Sequence, residues 1–337
     1  MSHGSKVAVY TAITANSIVM VAKFTGFALT GSGSMLSEGI HSAADVGNQA
    51  LLAVGMKSAE RPPDETHPDG YGNEAFVWSL ISAVGMFFLG CGVSITHGIQ
   101  SLTSSHGHDD HGNTTLNLVI LVGALIIEGL SLLIAVKAIR DAALAEDQGF
   151  MEHLKSTDDP FGIAILAEDS AAVFGVILAL IAVGLTAITG EAYWDAVGSI
   201  AIGVLLGGVA FFLIRKNRDL LIGRAIRPQD RSRLQEILEN DPAVEAVAVS
   251  QAVVTGTESY RISAELDFDG AYLADKYLES HDLAAIQERV QDPEALKAFL
   301  HEYGEAVMEQ VGDEVDRIED KIRTVLPKAS NIALEPD

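Results

Sequence analysis

The first two thirds of the chain is a series of long apolar runs with short polar interruptions, and the last third alternates apolar and polar positions over shorter stretches. A helix of roughly 20 apolar residues crosses a bilayer core. Six segments reach that length: Val7 to Leu29, Ser34 to Lys57, Ala75 to Leu102, Thr114 to Ile139, Phe161 to Ile188 and Trp194 to Ile214. Gly, Ala and Ser recur in them, which suits close helix packing in lipid. A soluble bundle would need polar faces, and Leu118 to Ala135 has almost none. Beyond residue 215 the pattern changes. Pro228 to Asn240 predicts a helix with Leu234, Ile237 and Leu238 on one face. Val244 to Val254 and Tyr260 to Phe268 predict two strands joined by Thr255-Gly256-Thr257. Leu278 to Val325 predicts helix interrupted near Asp292-Pro293, and Ile332 to Leu334 predicts a patch that closes the sheet. The expected fold class is an α-helical membrane protein, with six transmembrane helices in residues 1–215 and a C-terminal cytoplasmic α+β domain in residues 216–337.

Composition narrows the function classes. The chain is 48% hydrophobic, which excludes a disordered chain, and its single Cys91 excludes an internal disulfide scaffold. A net charge of −24 argues against nucleic acid as a partner, because phosphate is repelled. The turns Thr30 to Gly33, Thr103 to Asn113 and Thr189 to Tyr193 hold no Lys or Arg, whereas Lys6, Lys57, Arg61, Lys137, Arg140, Lys155 and the run Arg215 to Arg224 lie on the opposite side. Positive charge stays in the cytoplasm, so both termini are expected there. The first apolar run is too long for a cleavable signal, and no Arg-rich transit segment is visible. A plasma or bacterial inner membrane is the expected host.

Ionisable residues inside the spans locate candidate chemistry, because each costs at least about 2.5 kcal/mol in mid-bilayer. They are Lys23 in span one, Glu38, His41 and Asp45 in span two, Glu128 in span four, and Glu168 and Asp169 in span five. His41, Asp45 and Asn48 stand at i, i+4 and i+7, within about 60° of one another on a helix. An imidazole stacked on a carboxylate suits a first-row metal, zinc above all; a structural His41–Asp45 hydrogen bond is the alternative. Glu168 and Asp169 point about 100° apart, so they divide their roles. Asp169 is the expected metal ligand, and Glu168 a fourth ligand or a proton carrier; pairing of one of them with Lys23 is the alternative. The amide of Asn16 is a candidate to complete the set, or else serves as glue between helices.

These features together resemble the cation diffusion facilitator family. The resemblance is carried by His41-x-x-x-Asp45 on span two, the acid on span five, the loop His67-Pro68-Asp69-Gly70-Tyr71-Gly72-Asn73-Glu74, six spans and an α+β tail. It implies export of a divalent metal, usually zinc, in exchange for protons, by a homodimer whose tail is similar to a small metallochaperone fold. Ile165 stands where most members carry His or Asp, so the sequence resembles the subgroup with a Glu-Asp pair on span five and an Asn-Gln pair, here Asn48 and Gln49, after the span-two motif. The cluster His106, His108, Asp109, Asp110 and His111 lies between spans three and four, on the opposite side from the family's His-rich loop. The tail offers only His281 and His301 and no Cys, too little for a strong binuclear site. In the loop after span two, Asp64 and His67 match two positions of a second metal site found in some members; a turn fixed by Pro62, Pro63, Pro68, Gly70 and Gly72 is the alternative.

The chemistry predicts a mechanism. A histidine and several carboxylates in a low-dielectric cavity cannot all stay ionised without a cation, and metal binding expels protons. Alternating access then gives Zn2+/H+ antiport, with zinc as cargo and protons and the lipid bilayer as the other partners. Export of manganese, iron, cobalt or nickel is the alternative within the class, and a membrane metal sensor is the alternative outside it. No His-Glu-x-x-His, phosphate loop or other catalytic motif is present, so no enzymatic activity is expected.

Overall fold

Long apolar runs with capped ends give long helices. A computed structural model describes residues 3–30, 33–103, 114–191 and 193–337. The chain forms two compact units, Met1–Ile222 and Gly223–Asp337. The first unit is helical: α1 (His3–Thr30), α2 (Gly33–Ala59), α3 (Glu74–Gly85), α4 (Val93–Thr103), α5 (Thr114–Ala145), the short α6 (Phe150–Ser156), α7 (Pro160–Thr189) and α8 (Tyr193–Leu221). A π-helical turn, Met86–Gly92, joins α3 to α4, so that Glu74–Thr103 runs as one helical span. The start of α7 shows how its ends are set. Pro160 opens the helix, Asp159 Oδ1 accepts from the Phe161 and Gly162 amides at 3.1 and 3.2 Å, and Gly190 closes it at φ 74°.

Among the described residues, five helical stretches are long and apolar enough to cross a membrane: Lys6–Gly26, Glu74–Thr103, Leu118–Ala145, Pro160–Thr186 and Ala196–Leu221. The sixth expected span, α2, is not among them. At 27 residues it is about 40 Å long, which is ample, but Asp45, Asn48 and Gln49 interrupt its apolar run. It packs against α1 and α3. Large apolar side chains such as Ile126, Leu133 and Phe211 face outward, while α1 buries Ala8, Ala12, Ala15 and Val19 along one stripe. Small residues on that stripe let neighbouring backbones approach closely.

A close approach of backbones joins α8 to the α4 region. A Cβ on Gly203 would lie 3.1 Å from Ile95 N and 3.2 Å from Cys91 O, and one on Gly98 would lie 2.8 Å from Ala196 O. These are backbone atoms, which cannot step aside. Gly203→Val is expected to cost about 1–3 kcal/mol, lowering the melting temperature in detergent by about 3–10 °C. Gly208 has open space around its Cα, so Gly208→Ala should leave melting unchanged; equal effects of the two would refute the close-contact account.

The second unit is a three-stranded sheet of order β1-β2-β3 with helices α9 (Pro228–Glu239), α10 (Gly270–Ser280), α11 (Leu283–Arg289) and α12 (Pro293–Val325). The strands β1 (Val244–Gly256) and β2 (Ser259–Phe268) form an antiparallel hairpin, and β3 (Ala329–Pro336) pairs parallel to β2, with Ile262 opposite Ile332. The parallel pairing requires a crossover, which α10 to α12 supply. Along β2, Tyr260, Ile262, Ala264 and Leu266 are buried and Arg261, Ser263 and Glu265 are exposed. That period-2 face packs on Leu234 and Leu238 of α9 and on Ile318 and Ile322 of α12. Helix α10 starts well before the expected helix at Leu278, because Asp269 Oδ1 caps the Ala271 and Tyr272 amides at 2.8 and 3.1 Å.

Buried carboxylates hold α12 in place. Asp241 accepts from Arg317 and from Lys321 Nζ (3.1 Å), and Glu314 accepts from Lys276 and from Arg317 Nε (2.6 Å). Burial pushes the Asp241 carboxyl up, but hydrogen bonds from Arg317 and Lys321 outweigh it and leave the group below its ordinary value. Glu314 behaves alike: burial raises it, and bonds from Lys276 and Arg317 bring it below the ordinary range.

Candidate functional site

Helices α1, α2, α7 and α8 and the π-helical turn wall a cavity of about 320 Å³. Its polar lining is Asn16, Asp45, Asn48, Gln49, Glu168 and Asp169; Met86, Leu89 and Leu206 contribute apolar wall. The π-helical turn belongs to this wall through Met86, Leu89 and Gly90. Such turns widen a helix locally and are frequent at functional sites.

Glu168 and Asp169 are held by different helices. Asn48 Nδ2 donates to Glu168 Oε1 at 2.5 Å, which ties α2 to α7. Ser82 of α3 donates to the same oxygen at 3.4 Å. Asp169 turns the other way and accepts from Ser131 Oγ of α5 at 2.7 Å. Adjacent residues on a helix diverge by about 100°, and here that divergence separates a carboxylate facing α2 and α3 from one facing α5. Asp169 is 3% exposed and Asn16 is 9% exposed. Two amide oxygens in the lining, Asn48 Oδ1 and Gln49 Oε1, have no hydrogen-bond partner among the described residues.

Five of the candidate residues therefore line one cavity: Asn16, Asp45, Asn48, Glu168 and Asp169. His41 lies in α2, with its side chain outside the described residues, as is the side chain of Glu38. The cluster from His106 to His111 is outside the described residues altogether. Among the described residues, no three of His, Cys, Asp or Glu are grouped so as to hold a metal ion. Lys23 is 3% exposed and donates to Ser42 Oγ at 2.9 Å. Gln49, Ser82 and Ser131 were not among the expected site residues. A polar side chain on the Asp45 face of α2 was the available signal for Gln49, whereas serines in small-residue helices carry none.

Asp64 and His67 are apart from this cavity, in the loop between α2 and α3. Asp64 Oδ1 accepts from the Thr66 hydroxyl at 2.7 Å and from the Thr66 and His67 amides at 2.9 and 2.8 Å, and its Oδ2 accepts from Tyr71 at 2.7 Å. The hydrogen bonds from Thr66 and Tyr71 hold its carboxyl well below the usual carboxylate range. Tyr71 in turn lies under the Arg61 guanidinium, 3.7 Å from its ring centre. Both oxygens of Asp64 are thus engaged in fixing the turn.

The profile of the cation efflux transmembrane domain matches residues 9–222. The chain belongs to the cation efflux family. That is a family of transporters, and residues 9–222 are its transmembrane domain. Cation efflux relatives with similar sequences include the mitochondrial proton-coupled zinc antiporters SLC30A9 of Mus musculus and Homo sapiens, each 40% identical over 97% of this chain. Metal tolerance protein C4 of Arabidopsis thaliana is 38% identical over 98% of this chain and is itself covered to 73%. The chain spans 58% of the length of the two SLC30A9 proteins. Zinc, in their names, is what is carried and not a cofactor. The expected plasma or bacterial inner membrane finds no support, since these two antiporters are mitochondrial by name; a multi-pass membrane protein stands.

Proposed function

We propose that this cation efflux protein is a zinc carrier that exchanges Zn2+ for protons by alternating access. The observation that carries the reading is the cavity lined by Asp45 of α2 and by Glu168 and Asp169 of α7, the last two anchored on different neighbouring helices. Three carboxylates in a low-dielectric space need positive charge, and a divalent ion or protons supply it. Whichever enters displaces the other, so the two fluxes are coupled. Asp45 and Asp169 act as ligands of the cargo, with His41 on the same helix as the expected nitrogen ligand. Glu168, bound by Asn48, serves as a further ligand or as the proton carrier, and Asn16 and Asn48 offer amide oxygens. The names of relatives at 40% identity support zinc and proton coupling. The Glu168-Asp169 and Asn48-Gln49 pairs support the subgroup reading. The loop pair Asp64 and His67 is at most a weak second site.

The wider reading has residues 216–337 as a separate domain similar to a metallochaperone fold, and a homodimer as the working unit. Both chain ends lie on the basic side of the membrane, from which zinc is taken. A second reading, carriage of manganese, iron, cobalt or nickel, is favoured by one observation: the described lining offers only oxygen donors among its polar groups.

The test is zinc uptake by proteoliposomes with internal pH recorded. Zinc is expected to accumulate against its gradient when a proton gradient is imposed, with protons moving in the opposite direction. Zinc flux indifferent to the pH gradient sinks the antiport reading, and absence of accumulation favours a sensor.

A further inference from the structure

Two amide oxygens of neighbouring residues in the cavity lack a described donor. Gln49 is 1% exposed, it lines the cavity, and among the described residues its Oε1 has no hydrogen-bond partner. Asn48 Oδ1 is in the same state: its amide nitrogen faces Glu168 Oε1 at 2.5 Å, which turns its oxygen away from that carboxylate. Buried polar atoms nearly always find a partner, and one without calls for an explanation. Asp45, Asn48 and Gln49 stand at i, i+3 and i+4 on α2, so the two amide side chains flank the carboxylate, about 100° apart from each other. An amide oxygen is neutral and accepts only. It suits a cation or the water bound to one, and the three surrounding carboxylates exclude an anion.

We infer that Gln49 is a specificity-determining residue of the carrier: its Oε1 gives a neutral oxygen to the divalent ion at Asp45, directly or through one bound water. Zinc is satisfied by few ligands and takes nitrogen readily, whereas manganese favours an octahedral oxygen shell. Each neutral oxygen therefore matters more to manganese than to zinc, and Gln49 widens the range of ions accepted. The inference rests on the carrier reading above.

The full chain in proteoliposomes, at one fixed pH gradient, gives initial rates for Zn2+ and Mn2+ in the same preparation. Gln49→Met keeps the length of the side chain and removes the amide. The ratio of manganese to zinc flux is expected to fall about fivefold, the worth of one ordinary polar contact. Gln49→Glu keeps an oxygen and adds charge, so its ratio should rise at least about twofold. If Gln49→Met does not fold, the glutamate variant alone decides. Equal loss of both fluxes, an unchanged ratio, or a wild type that carries zinc and no manganese overturns the inference and leaves the carrier standing. A wild type that carries neither ion overturns the carrier reading itself.

Discussion

Alanine at Asp45 or at Asp169 lowers zinc flux into proteoliposomes at least about a hundredfold and leaves the protein folded. Removing a group that only supports a ligand already costs ten- to a hundredfold in metal affinity, so removal of a ligand sets a floor at the upper end. The structural cost is limited. The described partner lost at Asp169 is the Ser131 hydroxyl, 2.7 Å away, and one hydrogen bond to a charged group is worth about 1.5–3 kcal/mol. Taking one carboxylate from a space shared with two others also relieves repulsion. Ser131→Ala, which leaves the carboxylate and removes its anchor, should lower flux about tenfold. Zinc rates near wild type in both alanine variants, with melting temperatures preserved, would move the site elsewhere in the unit.

Arg317→Met loosens the second unit. Arg317 binds Asp241 through two nitrogens and Glu314 through a third, and the two acids are 3% and 0% exposed. Without the guanidinium Glu314 keeps Lys276, and Asp241 keeps Lys321 and the Ala243 amide. Breaking a fully buried pair costs about 3–5 kcal/mol; the Arg317 side chain is 41% exposed, which reduces the expectation to about 2–3 kcal/mol. Hydrogen exchange of β2 and α12 amides in the full chain should speed up accordingly. The sign with pH follows from the depressed values of Asp241 and Glu314. Their stabilisation is complete above the ordinary carboxylate values, near pH 4, and is lost as pH falls through the lower folded-state values. The gap between wild type and Arg317→Met should therefore shrink on acidification below about pH 4. A gap that stays constant to pH 2 would show that packing of the arginine stem, and not its charge, is what matters.

Much of this architecture is legible in the residues. The apolar runs give α1, α5, α7 and α8 because burial in lipid depends on composition alone, and the alternation from Tyr260 to Leu266 gives β2 because a sheet exposes every second side chain. The spacing of Asp45 and Asn48 places them on one helix face for the same kind of reason. What faces them is harder to read. The bond from Asn48 to Glu168 spans 120 positions of sequence, and nothing local announces it. The anchoring of Asp169 by Ser131 is invisible for that reason too. The π-helical turn at Met86–Gly92 has no marker beyond two glycines in an apolar run. The early start of α10 was within reach, since Asp269 before Gly270-Ala271 is an N-cap signal. The reduced apolarity of α2 has the most direct physical cause: the polar groups that line the cavity are what remove it from the set of strongly apolar helices.

The contact between Lys23 and Ser42 bears on how α1 is held in the bilayer. Lys23 lies three residues from the end of the apolar stretch Lys6–Gly26, where an ammonium costs less than the about 2.5–3.5 kcal/mol of a helix centre. Alone, α1 would expose that ammonium; beside α2, the ammonium meets a buried hydroxyl 2.9 Å away. The first helix is therefore expected to sit more stably in the bilayer once α2 is beside it.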